Sequence, residues 1–200
     1  GLGFNIVPTP QIQATVGVHK NVDVMVRYVP SIKISDDEGK VDMFGAGAKV
    51  EALPLIMGDA SDKVPVDVAA SFGFSKVNFT LPIDVSQGKY QNQRIESTFN
   101  GYHFEAIVSK KLAFFTPFVS LGYQTSDSKL DALGTYEFYN GNPPAITVSN
   151  DPIKLKQADF SGLRTSVGFQ LKLAFFKLYG SYTSFGYNTI NAGISFGTGN

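Results

Sequence analysis

Residues 159–175 read DFSGLRTSVGFQLKLAF, and apolar and polar side chains alternate along most of this stretch. Leu163, Val167 and Phe169 share one parity with two further leucines, while Arg164 and Ser166 begin the other, polar parity. Successive side chains of a β-strand point to opposite faces, so a two-residue period held over about fifteen residues predicts one long strand. A helix built from the same residues would have no continuous apolar face.

The polar parity of this stretch indicates what kind of strand it is. Ser166, Gly168 and Gln170 are small or uncharged, whereas soluble sheets usually carry many Lys and Glu on their wet face. The strand is longer than the usual length of about 5–6 residues and reaches the roughly 9–11 residues that a tilted strand needs to cross a bilayer. We therefore expect the apolar face to contact lipid and the polar face to line a lumen.

The composition narrows the class of protein. Of 200 residues, 17% are charged, well below the roughly 25% typical of soluble domains. The formal net charge is zero, which gives no compositional case for a nucleic-acid partner. Cysteine is absent, and no run approaches the 18 or so apolar residues that a membrane helix needs. A chain of this kind that spans a membrane must do so as a closed β-barrel, because lipid cannot hydrogen-bond an open sheet edge.

The same alternation recurs along the whole chain. It predicts a single all-β domain over residues 1–200, a transmembrane antiparallel up-and-down β-barrel with about nine strands in this chain. The predicted strands are Pro10–Val18, Val22–Ile34, Val41–Leu53, Val64–Phe79, Arg94–Leu112, Phe115–Ser128, Asp159–Phe175, Lys177–Ser184 and Thr189–Phe196.

The connections between these strands differ in length at the two ends of the predicted barrel. Short turns are expected at 19–21, 113–114 and 175–176, and long loops at 81–93 and 131–158. Outer-membrane barrels have short periplasmic turns and longer external loops. The long loops are therefore predicted to be external, although the connector 54–63 is unusually long for the periplasmic end.

An odd number of strands conflicts with closure of an antiparallel barrel. Bacterial single-chain barrels have an even number of strands. We therefore expect ten or more strands in the full protein, with at least one of them upstream of Gly1.

Several short phrases resemble an uncharacterised family of outer-membrane β-barrels from Bacteroidetes-type bacteria, a domain of unknown function. The phrases are Pro10-Gln11-Ile12, Val24-Met25-Val26-Arg27-Tyr28-Val29-Pro30, Gly45-Ala46-Gly47-Ala48-Lys49, Pro65-Val66-Asp67-Val68, Val108-Ser109-Lys110-Lys111-Leu112, Pro117 to Tyr123, and Tyr182-Thr183 through Gly193-Ile194. The resemblance implies additional upstream strands and implies no activity or catalytic residue.

Ten charged or ionisable residues lie on the polar parity and are predicted to face the lumen. Buried charges persist when they are paired, so these residues form either an ion-pair network that braces the wall or a constriction that selects solutes. They are Asp23, Arg27, Lys49, Glu51, Asp67, His103, Glu105, Arg164, Lys172 and Lys177.

Metal and catalytic sites find little support in the sequence. His103 and Glu105 share a face, but a metal site needs more donors, and the other histidine, His19, lies in a turn at the opposite end. Gly193-Ile194-Ser195-Phe196-Gly197 matches the Gly-x-Ser-x-Gly pattern, but it belongs to the last predicted strand and not to a strand-to-helix turn, so it does not form a nucleophile elbow. A serine triad would also have to recruit His103, which has no visible partner. We therefore expect no enzyme activity, no metal and no cofactor.

Aromatic residues crowd toward the ends of the predicted strands, as the interfacial girdles of outer-membrane barrels do. They are Tyr28, Phe44, Phe72, Phe74, Tyr102, Phe104, Phe115, Tyr123, Phe169, Phe176, Tyr182 and Phe196.

Two roles remain open for a barrel in the outer membrane of a Gram-negative bacterium. The first is a structural or accessory subunit of an envelope assembly, whose partners are outer-membrane lipid and other outer-membrane or periplasmic proteins. The alternative is a porin-like channel or transporter for small or apolar solutes. A soluble barrel or sandwich with the apolar parity turned inward is the non-membrane rival, because alternation alone is the same inside out.

Overall fold

The computed structural model describes residues 10–33, 39–86, 89–90, 92–140, 145–173 and 175–196. Its strands are β1 Ile12–His19, β2 Val22–Lys33, β3 Lys40–Glu51, β4 Asp67–Pro82, β5 Arg94–Ser109, β6 Phe115–Leu133, β7 Thr135–Asn140, β8 Ala145–Asn150, β9 Ile153–Leu173, β10 Phe176–Phe185 and β11 Tyr187–Phe196. Of the predicted strand residues, Ile34 and Ala174 lie outside this description, as do residues 1–9.

Nine of these strands form one antiparallel sheet in the order β1-β2-β3-β4-β5-β6-β9-β10-β11. Strands β7 and β8 pair only with each other, as a hairpin between β6 and β9. The sheet is curled into a half-barrel whose edges are β1 and β11. The predicted all-β class and up-and-down antiparallel order are thus confirmed.

Strand β9 shows why the sequence folds this way. Leu163 and Val167 are 72% and 52% exposed, whereas Ser166 between them is only 5% exposed. The alternation therefore survives in three dimensions with the apolar side chains on the open face of the sheet. This is the opposite of the arrangement that a soluble barrel with an apolar interior requires.

The segment 131–158, predicted to be an irregular loop, is mostly β-structure, so that prediction was wrong. Strand β6 continues to Leu133, and β9 already begins at Ile153. Gly134, with φ +110°, and Asp151, with φ +50°, exchange hydrogen bonds at the base of the β7–β8 hairpin. Residues 141–144 of this segment lie outside the described chain.

The connector 54–63, for which the sequence predicted only an unusually long connection, contains helical structure. Its residues lie in a short helix, α1 (Ala52–Met57), and a 3-10 helix (Gly58–Lys63). Gly58 has φ +54° and donates its N–H to the carbonyl oxygen of Pro54, a helix end that favours glycine. Pro30, which has no N–H to donate to a β-ladder, falls where the β2–β3 register shifts between Val29 and Ile32.

The two ends of the sheet are named here by their connections. The turn end carries the β1–β2, β3–β4, β5–β6 and β9–β10 connections, and the loop end carries the others. Asn21 and Ala113 adopt left-handed conformations, with φ of 68° and 51°, in two of the turn-end connections. No helix in the described part of the chain has the length and apolarity of a membrane span.

Side chains of one parity stay on the same face of the sheet along β4, but they change from apolar to polar along the strand. Val68, Ala70, Phe72 and Phe74 form an apolar series on one parity, and the same parity continues toward the loop end with polar residues. The β3–β4, β4–β5 and β5–β6 ladders contain no register shift, so the strand keeps its orientation through this change. The outer face is therefore apolar near the turn end and polar near the loop end.

Hydrogen bonds between neighbouring strands cover the polar part of this outer face. Asn78 donates to Asp42 at 2.7 Å and accepts from Thr98 at 3.3 Å, while Asn100 donates to Asp127 at 3.0 Å. Side chains of the opposite parity are polar near the turn end and become apolar toward the loop end. It carries Val77, Phe79 and Leu81 on β4, Ile95 and Phe99 on β5, and the fully buried Val29 on β2.

Candidate functional site: a charged cluster on the concave face

The strand register shows which side chains share the concave face. Asp23 lies opposite Lys49, Lys49 opposite Ser71, Ser71 opposite Glu105, and Glu105 opposite Gly122. Directly opposed residues of an antiparallel sheet point to the same face. By the same rule all ten residues predicted to face the lumen share one face of the sheet.

Four of the ten residues come together, and we call them the arginine cluster: Arg27 on β2, His103 and Glu105 on β5, and Arg164 on β9. The charges of Arg164 and Glu105 act on Arg27, and the charges of Arg27, Glu105 and Arg164 act on His103. Tyr179 on β10 also interacts with Arg27. Strands β2 and β10 are six places apart, about 29 Å along a flat sheet at about 4.8 Å per strand. These side chains can interact only across the concave side, which identifies that side as the polar one.

Glu105 is the anchor of the cluster. Its Oε2 accepts a 3.0 Å hydrogen bond from Ser120, and its Oε1 accepts a 3.5 Å bond from Ser71. Oε2 also lies 3.4 Å from Nε of Arg164, whose side chain is 23% exposed. The direction of this last contact does not suit a hydrogen bond, so it is an electrostatic contact. The carboxylate therefore ties β4, β5, β6 and β9 together across the concave wall.

The two arginines are less completely satisfied than this glutamate. Arg164 donates from Nη1 to Gln124 at 2.9 Å, whereas the one hydrogen bond of Arg27 to a described residue is a long contact from its Nη2 to the sulfur of Met25, at 3.8 Å. The Nε atoms of both arginines are buried and have no hydrogen-bond partner among the described residues. Two arginines and one glutamate also leave an excess of one positive charge, before His103 is counted.

Glycines opposite the cluster make room for its side chains. Arg27 lies opposite Gly45, His103 opposite Gly73, and Glu105 opposite Gly122. A Cβ at Gly45 would stand 2.7 Å from Cγ of Arg27, and a Cβ at Gly122 would stand 2.6 Å from Cβ of Glu105. A Cβ at Gly73 would overlap the ring of His103. Each of these three cluster members therefore lies across a neighbouring strand at a position that has no side chain.

The other predicted residues do not join the cluster. Asp23 and Lys49 are opposed in register, yet no ion pair within 4 Å joins them, and Lys172 lies opposite another cation, Lys177. Lys49, Lys172 and Lys177 form no ion pair with a carboxylate among the described residues.

Glu51 and Asp67 lie at the turn end, where they line a cleft of about 630 Å³ beside the two short helices. Asp67 is 3.7 Å from Lys111, a residue that the sequence did not single out. Both side chains of that pair are largely exposed, so the pair contributes little to stability.

No group of three or more His, Cys, Asp or Glu side chains converges in the described part of the chain. The best-buried pair of hydroxyls is Ser166 and Thr183, 2.9 Å apart, and both side chains lie on the concave parity of β9 and β10. This pair joins the two strands without a titratable partner.

Sequence reasoning missed the uncharged partners of the cluster, namely Ser71, Ser120, Gln124 and Tyr179. Their types are common on any polar strand face, so composition carries no signal for them. The detectable signal is the register. Once the strands are aligned, three members of the cluster, Arg27, His103 and Glu105, are each found opposite a glycine.

Comparison with curated proteins and with solved structures finds no match to this chain. A family model does match, over residues 1–198, and its description is "Family of unknown function (DUF6588)". Because that match covers nearly the whole sequence, the chain belongs to this family of unknown function.

Proposed function

We propose that this chain forms the wall of a non-enzymatic β-barrel in the outer membrane of a Gram-negative bacterium, where it acts as a structural or accessory subunit of an envelope assembly. The observation that carries the proposal is the outer face near the turn end. It is apolar and exposed on consecutive strands, as shown by Phe104 on β5 and Leu121 on β6, which are 58% and 59% exposed. We call this surface the apolar band.

The height of the apolar band fits a bilayer. On β9 it runs from Leu163 to Leu173, ten steps or about 33 Å along the strand at about 3.3 Å per residue. At the tilt of roughly 35–45° found in outer-membrane barrels, this length gives about 25 Å, the height of their apolar band.

The upper border of the band supports the same proposal. Phe44, Phe74, Tyr102 and Tyr123 are the last outward residues before the polar part of the face begins. The rings of Phe74 and Tyr102 are 5.0 Å apart. Aromatic girdles occupy this position in membrane barrels, and the hydrogen-bonded belt of Asp42, Asn78 and Asn100 would then lie in the headgroup region or beyond it.

The interior favours a structural role over a wide channel. The charges of Arg27 on β2, His103 and Glu105 on β5 and Arg164 on β9 act on one another across the concave side, so charged side chains project into the space between these walls. Barrels of about eight strands have interiors that side chains fill, whereas 16–18 strands leave an aqueous channel. An interior in which charges on well-separated strands act on one another fits the narrow kind.

Cysteine labelling tests the membrane assignment, because the natural chain contains no cysteine. Leu121→Cys and Lys129→Cys lie on the same strand and the same face, and both positions are exposed in the sheet. In isolated membranes, a water-soluble maleimide should label Lys129→Cys and leave Leu121→Cys unlabelled, since only lipid would shield residue 121. After denaturation both should react.

Equal labelling of the two cysteines in intact membranes would refute the proposal. So would recovery of the wild-type protein in the soluble fraction without detergent.

A further inference from the structure

We propose that the arginine cluster is a binding site for a small oxyanion, a carboxylate or a phosphate, held between Arg27 and Arg164 on the concave face. This inference goes beyond the structural role proposed above. It rests on the geometry of the concave face, so it stands or falls separately from the membrane assignment.

The first step is the hydrogen-bonding state of the two guanidinium groups. A guanidinium has five N–H donors, and its Nε–H and a neighbouring Nη–H together match the two oxygens of a carboxylate or phosphate. The Nε atoms of Arg27 and Arg164 are buried without a hydrogen-bond partner among the described residues. Such donors are costly unless something accepts from them.

The second step is the balance of charge. Arg27 and Arg164 repel one another electrostatically, and Glu105 is the one carboxylate that acts on both within the described chain. Both oxygens of Glu105 already accept hydrogen bonds from Ser71 and Ser120. An added anion would offset the excess positive charge and accept the donors that Glu105 does not reach.

The third step is why the site selects an oxyanion rather than a simple halide. Planar, bidentate recognition of carboxylate and phosphate is the property that separates arginine from lysine. Arginines supply the excess charge in the cluster, while Lys172 and Lys177, two of the three lysines that the sequence predicted for this face, lie apart at the turn end. Chloride could screen the charge, but its single atom cannot form the two parallel hydrogen bonds that two oxygens of a carboxylate or phosphate form with one guanidinium.

The experiment titrates the purified full-length protein with sodium acetate, sodium phosphate or sodium chloride at matched ionic strength, and follows its unfolding temperature. We expect a saturable rise with acetate or phosphate that chloride does not reproduce. The stronger of the two ligands distinguishes a carboxylate from a phosphate.

The matched variants are Arg27→Gln and Lys172→Gln, each of which removes one cation from the concave parity. Arg27→Gln should weaken oxyanion binding by at least about ten-fold, because one of the two bidentate partners is lost, whereas Lys172→Gln should bind as wild type does. If Arg27→Gln does not fold, Arg27→Lys replaces it, since it keeps the charge without the planar edge, and the same loss is expected.

The absence of a saturable rise in the wild type would overturn the inference. Equal binding by the arginine and lysine variants would do so as well. Neither result would bear on the labelling of Leu121→Cys.

Discussion

At the residue scale, the concave face depends on positions that lack a side chain. Gly122 lies between Glu105 on one strand and Arg164 on the other, and it is opposed to both in register. A glycine within a strand usually weakens it. Here Gly122 lets the charged side chains of two neighbouring strands approach each other. The pairing of a charged residue with a glycine in register therefore makes room for the cluster.

Gly122→Ala tests this interpretation. The new Cβ would overlap the carbonyl oxygen of Phe104 and approach Cβ of Glu105 to 2.6 Å, and overpacking of this kind costs about 1–3 kcal/mol. Gly101→Ala is the control, because its Cβ would find no atom closer than 4.0 Å. The free energies of unfolding, measured in denaturant, should fall for Gly122→Ala and stay within about 0.5 kcal/mol of wild type for Gly101→Ala. Equal losses would contradict the argument.

At the element scale, the β7–β8 hairpin is fastened to the segment that connects β4 to β5. Gln93, only 3% exposed, donates to the carbonyl oxygen of Thr135 at 2.6 Å. Glu137 on β7 forms an ion pair with Lys89 and accepts a 2.7 Å hydrogen bond from Tyr90. The hydrogen bond donated by Lys89, which has the largest effect, and the one donated by Tyr90 lower the pKa of Glu137 below its ordinary value of 4.5.

This contact should make the hairpin sensitive to acid. A carboxylate with a lowered folded-state pKa stabilises the fold fully above its ordinary pKa of 4.5, and that contribution disappears as the pH falls through the lowered value. A dye attached to Thr147→Cys, an exposed position on the other face of the hairpin from Glu137, should therefore report increasing hairpin motion, as falling fluorescence anisotropy, when the pH is lowered from 7 past this range.

The control is the same labelled protein carrying Glu137→Gln, which keeps the shape of the side chain without its charge. It should show the looser hairpin already at neutral pH and little further change in acid. If the anisotropy of the labelled protein that keeps Glu137 stayed constant with pH, the contact of Glu137 with Lys89 and Tyr90 would not be what holds the hairpin.

The element scale also explains the prediction that was wrong. The segment 131–158 contains Asn-Gly-Asn-Pro-Pro and Asn-Asp-Pro, which favour turns. Of these, Asn150-Asp151-Pro152 connects β8 to β9 rather than replacing a strand, since Asp151 and Gly134 exchange hydrogen bonds at the base of the β7–β8 hairpin. Strand pairing with β6, from Ala132 to Ser128, also extends β9 well before the stretch whose alternation is clearest.

At the scale of the whole molecule, the sheet has two unpaired edges. All residues of β1 are exposed, and Ile190 and Ile194 of β11 are 82% and 61% exposed. The two edge strands are first and ninth in an antiparallel sheet, so they run in the same direction. A barrel that keeps antiparallel pairing throughout would need an odd number of further strands between them.

Hydrogen exchange of the full-length protein in membranes tests that requirement. Open backbone edges are not tolerated in lipid, so the proposed barrel predicts slow exchange for the amides of β1 and β11 that face away from the sheet. The amides of β5, paired on both sides, provide the internal standard. Fast exchange at both edges beside slow exchange in β5 would indicate an open sheet and would contradict the barrel.

Alternation by itself determined the strand-rich class, most of the strand positions and which residues share a face, because a two-residue period is a local property of an extended backbone. It also placed Arg27, His103, Glu105 and Arg164 on the polar parity. The tertiary structure alone decided that these four meet while Lys172 and Lys177 do not. Meeting depends on inter-strand register and on the curl of the sheet, and both arise from pairing between residues far apart in the chain.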